Sequence, residues 1–450
     1  MVASKAYTVT VTAKTTVAAA LPMQEHRRPL SNLDLLLPPL DVGIFLCYEN
    51  AVATSTTYAA MVAALKASLA RALATYYPFA GEVVSNEAGE PELLCSNRGV
   101  DFVEARADAE LRELCFHDPD ESVEGKLVPK KKEGVLCVQA TELKCGGVVV
   151  ACTFDHRVAD AYSTNMFIVS WAETARSAPL SVLPTFRSSL LAPRPAAAVD
   201  ASIDRLYAPL SSLPPPPDSD TAAAPVSVNR IYYIAAKDVA ALQAAAGKGK
   251  TKLEAFTACL WRLLAKAADA DEKVCCMGVV VNGRGRLSGG EDDMLGYFGN
   301  VLSIPYGTLD VEALHGMKLD EVAEHVHGWV SAAATEKHFL NLVDWVESRR
   351  PMPLVARIYC GEEGGPACVV SSGRGFPEEA DFGWGRPAFG SYHFPWGDGA
   401  GYVMPIPRSN GDWVVYAHLA RRFVAALEEE PTVFRPLTAD YILNTVNSEK

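Results

Sequence analysis

The Pro-rich segment 209–225 limits most strongly what this chain can fold into. It reads Pro-Leu-Ser-Ser-Leu-Pro-Pro-Pro-Pro-Asp-Ser-Asp-Thr-Ala-Ala-Ala-Pro. Because it has few apolar side chains, it cannot build a core, and its prolines indicate a semi-rigid linker. We therefore predict an N-terminal domain over residues 1–208 and a C-terminal domain over residues 226–450.

Both halves mix helical and strand patterns. Helices are predicted where apolar residues recur every three to four positions, and strands where short apolar runs end at turn residues. The predicted helices are 58–76, 161–176, 252–267 and 319–335, and the predicted strands are 135–142, 148–154 and 274–281. The pattern predicts an α/β protein of two similar halves, with a ligand cleft between them.

Composition excludes several classes of function. The net charge is −13 over 450 residues. No Lys/Arg-rich stripe stands out, which argues against binding to nucleic acid or to an anionic membrane. The eleven cysteines are scattered without a C-x-x-C pair, which predicts reduced thiols and neither a disulfide framework nor a zinc site. No apolar run is long enough to span a membrane, and the run 17–21 is too short for a signal peptide. We expect a cytoplasmic protein with no bound metal.

Three familiar motifs fail on inspection. Residues 247–251 resemble the end of a phosphate-binding loop, but Ala244 stands where the first glycine is required. Residues 283–288 follow a predicted strand, but Ser288 replaces the third glycine of a dinucleotide-binding fingerprint. No G-x-S-x-G occurs, so a serine-hydrolase elbow is unsupported.

Two short motifs remain as candidates for chemistry. Of the nine histidines, only His156 has an aspartate, Asp160, four residues further on. It lies between a predicted hairpin and a predicted helix, where a rigid backbone could hold a general base. The alternative is a histidine that merely satisfies its hydrogen bonds beside a surface aspartate. In the second motif, 381–385 (Asp-Phe-Gly-Trp-Gly), the glycines allow a tight turn that could carry Trp384 to another element, or simply pack the ring.

Taken together and in this order, these motifs resemble the signature of the plant BAHD acyltransferases. Further matches are 30–34 (Leu-Ser-Asn-Leu-Asp), 282–286 (Asn-Gly-Arg-Gly-Arg) and 297–300 (Tyr-Phe-Gly-Asn). The resemblance covers essentially the whole chain. Residues 30–48, 81–95 and 155–171 are most similar to the coniferyl alcohol acyltransferase and hydroxycinnamoyltransferase-like branch.

The resemblance implies a fold of two chloramphenicol-acetyltransferase-like domains, each a mixed sheet with flanking helices. A channel between them would admit acyl-CoA and an acceptor. His156 would be the general base that removes the acceptor proton as the acceptor attacks the thioester, without an acyl-enzyme. The resemblance further implies a monomer with no permanently bound cofactor, and with acyl-CoA as a co-substrate.

The resemblance also assigns roles to other residues. Asp160 would pair with Arg284 and act as an orienting, structural residue. The indole N–H of Trp384 would stabilise the oxyanion. Structural roles would fall to Asp381, Gly383 and Gly385. A basic cluster would contact the CoA phosphates, unless it is only a solvated loop: Lys248, Lys250 and Lys252.

The acceptor is the least determined part. The resemblance favours transfer of a hydroxycinnamoyl, benzoyl, acetyl or malonyl group to an aromatic or phenylpropanoid alcohol. Asp41 falls near the expected acceptor pocket, and a carboxylate there could instead favour a cationic polyamine or arylamine. A shikimate-type transferase is a further alternative. That branch, however, has a histidine where Asp41 stands, and Arg374 is one residue out of place for its carboxylate-binding arginine. Two alternatives belong to other functional classes. One is a non-catalytic relative that keeps the fold, and the other is a peptide-assembly condensation domain.

Overall fold

The computed structural model describes residues 6–49, 56–195, 200–213, 227–287, 294–361, 364–394, 396–397 and 399–448. In the first half the strands are β1 (Val9–Val17), β2 (His26–Pro29), β3 (Asp41–Tyr48), β4 (Glu82–Ser85), β5 (Pro91–Cys95), β6 (Val100–Ala107), β7 (Leu136–Glu142), β8 (Val148–Asp155) and β9 (Tyr207–Pro209). The helices there are α1 (Tyr58–Thr75), α2 (Pro119–Ser122) and α3 (Ala161–Ala175).

The second half contains shorter strands and more helices. Its strands are β10 (Ser227–Ile234), β11 (Val274–Val279), β12 (Val281–Asn282), β13 (Leu302–Ser303), β14 (Tyr306–Asp310), β15 (Leu354–Ala356), β16 (Ala367–Val370), β17 (Phe389–His393), β18 (Gly401–Pro407), β19 (Trp413–Ala420) and β20 (Arg435–Pro436). Its helices are α4 (Ala236–Ala245), α5 (Lys252–Lys266), α6 (Arg284–Leu287), α7 (Val311–Gly316), α8 (Leu319–Ala333), α9 (Glu336–Glu347), α10 (Arg421–Glu428) and α11 (Ala439–Ser448).

Two mixed sheets organise these elements. The first has the strand order β1-β6-β7-β8-β3-β17, and the second β14-β11-β16-β18-β19-β10-β20. Most neighbours are antiparallel, but β6 with β7 and β16 with both β11 and β18 are parallel. Strand β17 comes from the second half of the sequence, yet it pairs with β3 in the first sheet, with Phe389 opposite Cys47. The first sheet therefore includes a strand from the second half, whereas every strand of the second sheet comes from the second half.

Helices cover the sheets through buried side chains. On the first sheet, α1 is anchored by Tyr58, whose hydroxyl donates to the carbonyl of Ala140 in β7 at 2.9 Å. The indole of Trp171 in α3 donates to Ser68 in α1 at 2.9 Å, which joins the two helices. On the second sheet, the indole of Trp261 in α5 donates to the carbonyl of β11 at 3.1 Å. Large aromatic rings thus supply both buried area and directional bonds.

The sequence periodicities located these main elements well. The predicted helices correspond to α1, α3, α5 and α8, and the predicted strands to β7, β8 and β11. The predicted linker was too long at its start, because Pro209 ends β9, which pairs with β15, and residues 210–212 form a short 3-10 helix. Residues 214–226 lie outside the described part of the chain.

All eleven cysteines lie in the described ranges, and none of them forms a disulfide bond. Within the described ranges, no helix has both the length and the hydropathy that crossing a bilayer requires.

Candidate active site

His156 lies immediately after β8 and five residues before the start of α3. Its backbone N–H donates to the carbonyl of Leu40 at 2.9 Å, just before β3. The ring is half-buried and packs edge-on to Phe154, with centroids 6.5 Å apart. Its Nδ1 is buried and has no hydrogen-bond partner among the described residues. Nε2 is therefore the nitrogen available to a substrate.

Burial of His156 favours the neutral form of its ring. Burial lowers its pKa below the usual value, and the lowering is opposed by its own backbone carbonyl and by the carboxylates of Asp160 and Asp155. A general base must be unprotonated at the working pH, and a histidine with a lowered pKa meets that condition near neutrality.

Asp160 and Arg284 form a buried ion pair that joins the two halves of the chain. Arg284 Nη1 donates to Oδ2 at 2.7 Å and Nη2 to Oδ1 at 3.1 Å, and each side chain is 1% exposed. Oδ1 also caps α3 by accepting from the backbone N–H of Ser163 at 2.9 Å. The remaining Arg284 donors reach the carbonyls of Tyr297 and Gly299. Both Asp160 oxygens are occupied, which leaves none for a proton relay to His156.

Asn300 is a site residue whose importance the sequence did not reveal. Its Nδ2 donates to the backbone carbonyl of His156 at 2.9 Å and to Asp34 Oδ1 at 2.9 Å. Its backbone N–H donates to the same Asp34 oxygen at 2.7 Å. The family motifs 30–34 and 297–300 are the sequence signal that points to this contact.

The structure brings Asp381, Gly383 and Gly385 together in one turn. The carboxylate of Asp381 accepts from the backbone N–H groups of Gly383 and Gly385 at 2.7 and 2.9 Å. The two glycines have φ angles of +112° and +107°, which side chains rarely adopt. The Asp381 carboxylate and the positive φ angles of the two glycines together define this turn.

The assignment of Trp384 to the oxyanion is wrong. Its ring packs edge-on against Tyr48, with centroids 6.0 Å apart, at the far end of β3. His156 adjoins the opposite end, where Asp41 is paired with Asp155. At ~3.3 Å per residue, the two ends of β3 are roughly 23 Å apart. The buried Trp384 Nε1 has no partner among the described residues, but it cannot reach an oxyanion beside His156.

The length of helix α3 gives a second, independent estimate of the separation between Trp384 and His156. The turn 381–385 lies at its C-terminal end, where Asp381 is 4.0 Å from Arg176 and Phe382 packs on Trp171 at 4.8 Å. His156 precedes the N-terminal end of the same 15-residue helix. At ~1.5 Å per residue, α3 alone separates them by about 20 Å. Order and spacing in the sequence identified the motif but did not predict where its loop would pack.

Asp41 is near His156 but is already paired. Its Oδ1 lies 3.1 Å from the ammonium of Lys131, whose side chain is 10% exposed against 37% for Asp41. Burial raises the pKa of Asp41, and Lys131 opposes that rise. Directly across the strand pair, Asp155 is bound by Arg157 through both carboxylate oxygens. The two carboxylates at this end of the sheet are thus each neutralised by a cation.

The three lysines predicted for CoA lie around the turn between α4 and α5. Lys250 is paired with Glu324 of α8 at 2.6 Å, whereas Lys248 and Lys252 are exposed. Further along α8, Trp329 lines a cavity of about 550 Å³. Another wall of this cavity is the segment 305–308, a few residues after Asn300. Neither the three lysines nor His156 and Asn300 are among the residues that line this cavity.

The wall of this cavity is polar and carries both signs of charge. His338 of α9 lines it and contacts Ser303 at 2.8 Å, and burial lowers the pKa of His338 to about 4. Arg205, Lys337 and Asp200 also line it.

Comparison with known proteins identifies the family to which this chain belongs. The transferase family matches residues 7–433. The chain belongs to this family, the BAHD acyltransferases. It is a coenzyme-A-dependent acyltransferase. A hydroxycinnamoyltransferase of Narcissus pseudonarcissus is 29% identical over 428 residues, 88% of this chain and 93% of that protein. Putrescine hydroxycinnamoyltransferase 1 of Oryza sativa subsp. japonica is 30% identical over 424 residues, 88% of this chain and 92% of that protein.

Solved structures support the fold. Vinorine synthase superimposes with a TM-score of 0.68 at 20% identity, over 95% of this chain and 99% of that one. TRI101 of F. graminearum, complexed with coenzyme A and T-2 mycotoxin, gives a TM-score of 0.70 at 13% identity, over 90% and 97%. The fold of this BAHD enzyme is the expected one, with two mixed sheets and flanking helices.

Proposed function

We propose that this BAHD enzyme transfers an acyl group, foremost a hydroxycinnamoyl group, from CoA to the hydroxyl of an aromatic or phenylpropanoid alcohol. The observation that carries the choice of acceptor is the ion pair between Asp41 and Lys131. With its carboxylate neutralised at 3.1 Å, Asp41 can accept a hydrogen bond but offers little attraction to a cation. An uncharged hydroxyl therefore suits this end of the sheet better than a protonated amine.

His156 performs the proton transfer in this proposal. Its Nε2 accepts the acceptor proton while the acceptor oxygen attacks the thioester carbonyl. The tetrahedral intermediate then collapses, the carbon–sulfur bond breaks, and the proton passes to the leaving CoA thiolate. A positioned general base contributes roughly 10²–10⁴-fold to such a step. Asp160 and Arg284 hold the backbone around His156 and exchange no proton.

We place the CoA along the cavity between α8, α9 and the segment 305–308. Its volume of about 550 Å³ is within the range of ligand sites, and Arg205 and Lys337 supply cations for phosphate groups. Lys248 and Lys252 remain candidates for the outer phosphates, because they are exposed at the turn beside α8. Lys250 is a weaker candidate since Glu324 already neutralises it.

N-acylation of a polyamine or arylamine is the second candidate. It is favoured by the position of Asp41 beside the His156 segment, and by the name of the Oryza relative at 30% identity. For a cationic amine to bind, Lys131 would have to leave Asp41 or lose its charge. We infer in addition that the enzyme acts as a cytoplasmic monomer, and eleven cysteines without a disulfide bond support a reducing compartment.

A substrate panel tests these proposals. The protein is incubated with hydroxycinnamoyl-, benzoyl-, acetyl- and malonyl-CoA against phenylpropanoid alcohols, shikimate, polyamines and arylamines. Free thiol is followed and products are identified by mass. We expect ester products that depend on His156, with His156→Ala inactive and His26→Ala, at an exposed histidine of β2, fully active. Amide products at higher kcat/KM would favour the second candidate, and no product with any pair would refute both.

A further inference from the structure

Asn300 and Asp34 lie in the family motifs 297–300 and 30–34, and neither residue has a role in the proton transfer proposed above. Asn300 is fully buried and links three elements of the fold. Its amide Nδ2 donates to the backbone carbonyl of His156 and to Asp34 Oδ1, both at 2.9 Å. Asp34 is 5% exposed. Asn300 therefore stands between a buried carboxylate and the candidate base.

The orientation of the Asn300 amide is set by its partners. Asp34 Oδ2 accepts from the backbone N–H and hydroxyl of Ser31, and Oδ1 accepts from the backbone N–H of Asn300. A flipped amide would place its oxygen against the Asp34 carboxylate and the His156 carbonyl, three acceptors with no proton between them. The NH₂ group must therefore face Asp34 and the carbonyl, and Oδ1 must point the other way.

Two buried atoms are left without a partner among the described residues, and they belong to residues already in contact. They are Asn300 Oδ1 and His156 Nδ1. A buried polar group without a partner is costly, so two such groups on touching residues are expected to satisfy one another. A general base acting through Nε2 also requires the proton on Nδ1, because neutral imidazole has one donor and one acceptor nitrogen.

We propose that Asn300 is a positioning residue whose Oδ1 accepts the Nδ1–H of His156, which fixes the tautomer that leaves Nε2 free to act as base. The same bond supports the imidazolium formed when His156 takes the acceptor proton. Asp34 fixes the orientation of Asn300. The catalytic purpose of this arrangement rests on the proposed function, but the tautomer can be observed without turnover.

The electrostatic surroundings of His156 agree with this arrangement. The backbone carbonyl of His156 itself, the carboxylates of Asp160 and Asp155, and the Asn300 side chain all favour the protonated ring. Arg157 and Arg284 pair with the two carboxylates. Loss of the Asn300 acceptor should therefore lower the pKa of His156 further, because burial would then act with less opposition.

The test is a two-bond ¹⁵N–¹H NMR spectrum of protein labelled with ¹⁵N-histidine. Signals of His156 are identified by their absence in His156→Ala. We expect wild-type protein above the titration midpoint to show the Nδ1–H tautomer, and Asn300→Ala to show a mixture of both. The exposed Asn410→Ala is the matched control and should leave the spectrum unchanged.

Kinetics supply the second readout. Asn300→Ala should lower kcat by roughly 10- to 100-fold, leave KM for acyl-CoA within about twofold, and shift the acid limb of kcat/KM to lower pH. Should Asn300→Ala fail to fold, Asp34→Asn tests the same chain, since it keeps the volume but removes the charge that orients the amide.

Two results would overturn the inference. One is a wild-type spectrum dominated by the Nε2–H tautomer. The other is an Nδ1–H tautomer that persists unchanged in folded Asn300→Ala or Asp34→Asn. A tautomer shift in a protein that transfers no acyl group would support the inference while refuting the proposed function, so the two failures are distinguishable.

Discussion

Breaking the ion pair between Asp160 and Arg284 should destabilise the protein far more than it slows chemistry. Asp160→Asn keeps the shape of the side chain but removes the carboxylate that pairs with the Arg284 guanidinium, which is 1% exposed. If the new amide oxygen still caps α3 at Ser163, its NH₂ group faces Nη1, donor against donor. Loss of one partner of a buried pair costs about 3–5 kcal/mol in the free energy of unfolding.

The assay is urea unfolding followed by fluorescence. Activity is measured in the absence of urea, at a temperature where the variant is folded. The matched control is Glu379→Gln. It breaks the exposed pair with Arg386, whose side chains are 65% and 67% exposed, and should change stability by less than about 1 kcal/mol. The double variant Asp160→Asn with Arg284→Met should be less destabilised than the sum of the single variants, since the two groups interact directly.

The reasoning would be refuted by the opposite pattern. If Asp160→Asn changed the free energy of unfolding by less than ~1 kcal/mol and lowered kcat by more than ~10³-fold, Asp160 would be part of the proton transfer. A structural and orienting residue should instead lose at most about tenfold in kcat once the variant is folded.

Three further outcomes are expected. Burial lowers the pKa of His156, so the ring should stay neutral to a pH below its ordinary pKa of 6.5. The value of kcat/KM should therefore stay constant down to that pH and fall only as the pH drops through the lowered pKa. An acid limb above pH 6.5 would contradict this. Trp384→Phe should change kcat by less than about threefold, against the ~10²–10³-fold loss of a true oxyanion donor, as measured by thiol release. Lys131→Met should raise the ratio of amine to alcohol kcat/KM roughly tenfold by freeing Asp41, and an unchanged ratio in competition assays would exclude Asp41 from the acceptor site.

Local patterns predicted the local structure well. The apolar spacing of Met61, Leu65 and Leu69 located α1 because every third or fourth side chain of a helix faces the core. The hairpin of β7 and β8 was recognised from its apolar runs and the paired glycines 146–147 between them. These signals lie within a few residues of the structures that they form.

Long-range placement could not be predicted in the same way. The pairing of Phe389 with Cys47 joins residues more than 300 positions apart, and nothing in either segment names its partner. The Lys131 that neutralises Asp41 lies in a loop whose path is fixed only by tertiary packing. For Trp384, the order of the motifs along the chain does not determine their proximity in space, because the lengths of β3 and α3 separate this residue from His156.

The most direct test of the central claim compares thiol release by wild-type and His156→Ala protein from the best acyl-CoA, with and without acceptor. A base acting on the acceptor predicts release only when acceptor is present, no acylated protein by intact mass, and a fall of roughly 10²–10⁴-fold in His156→Ala. Equal rates in the two proteins, or one equivalent of thiol released without acceptor together with an acylated protein, would contradict the account.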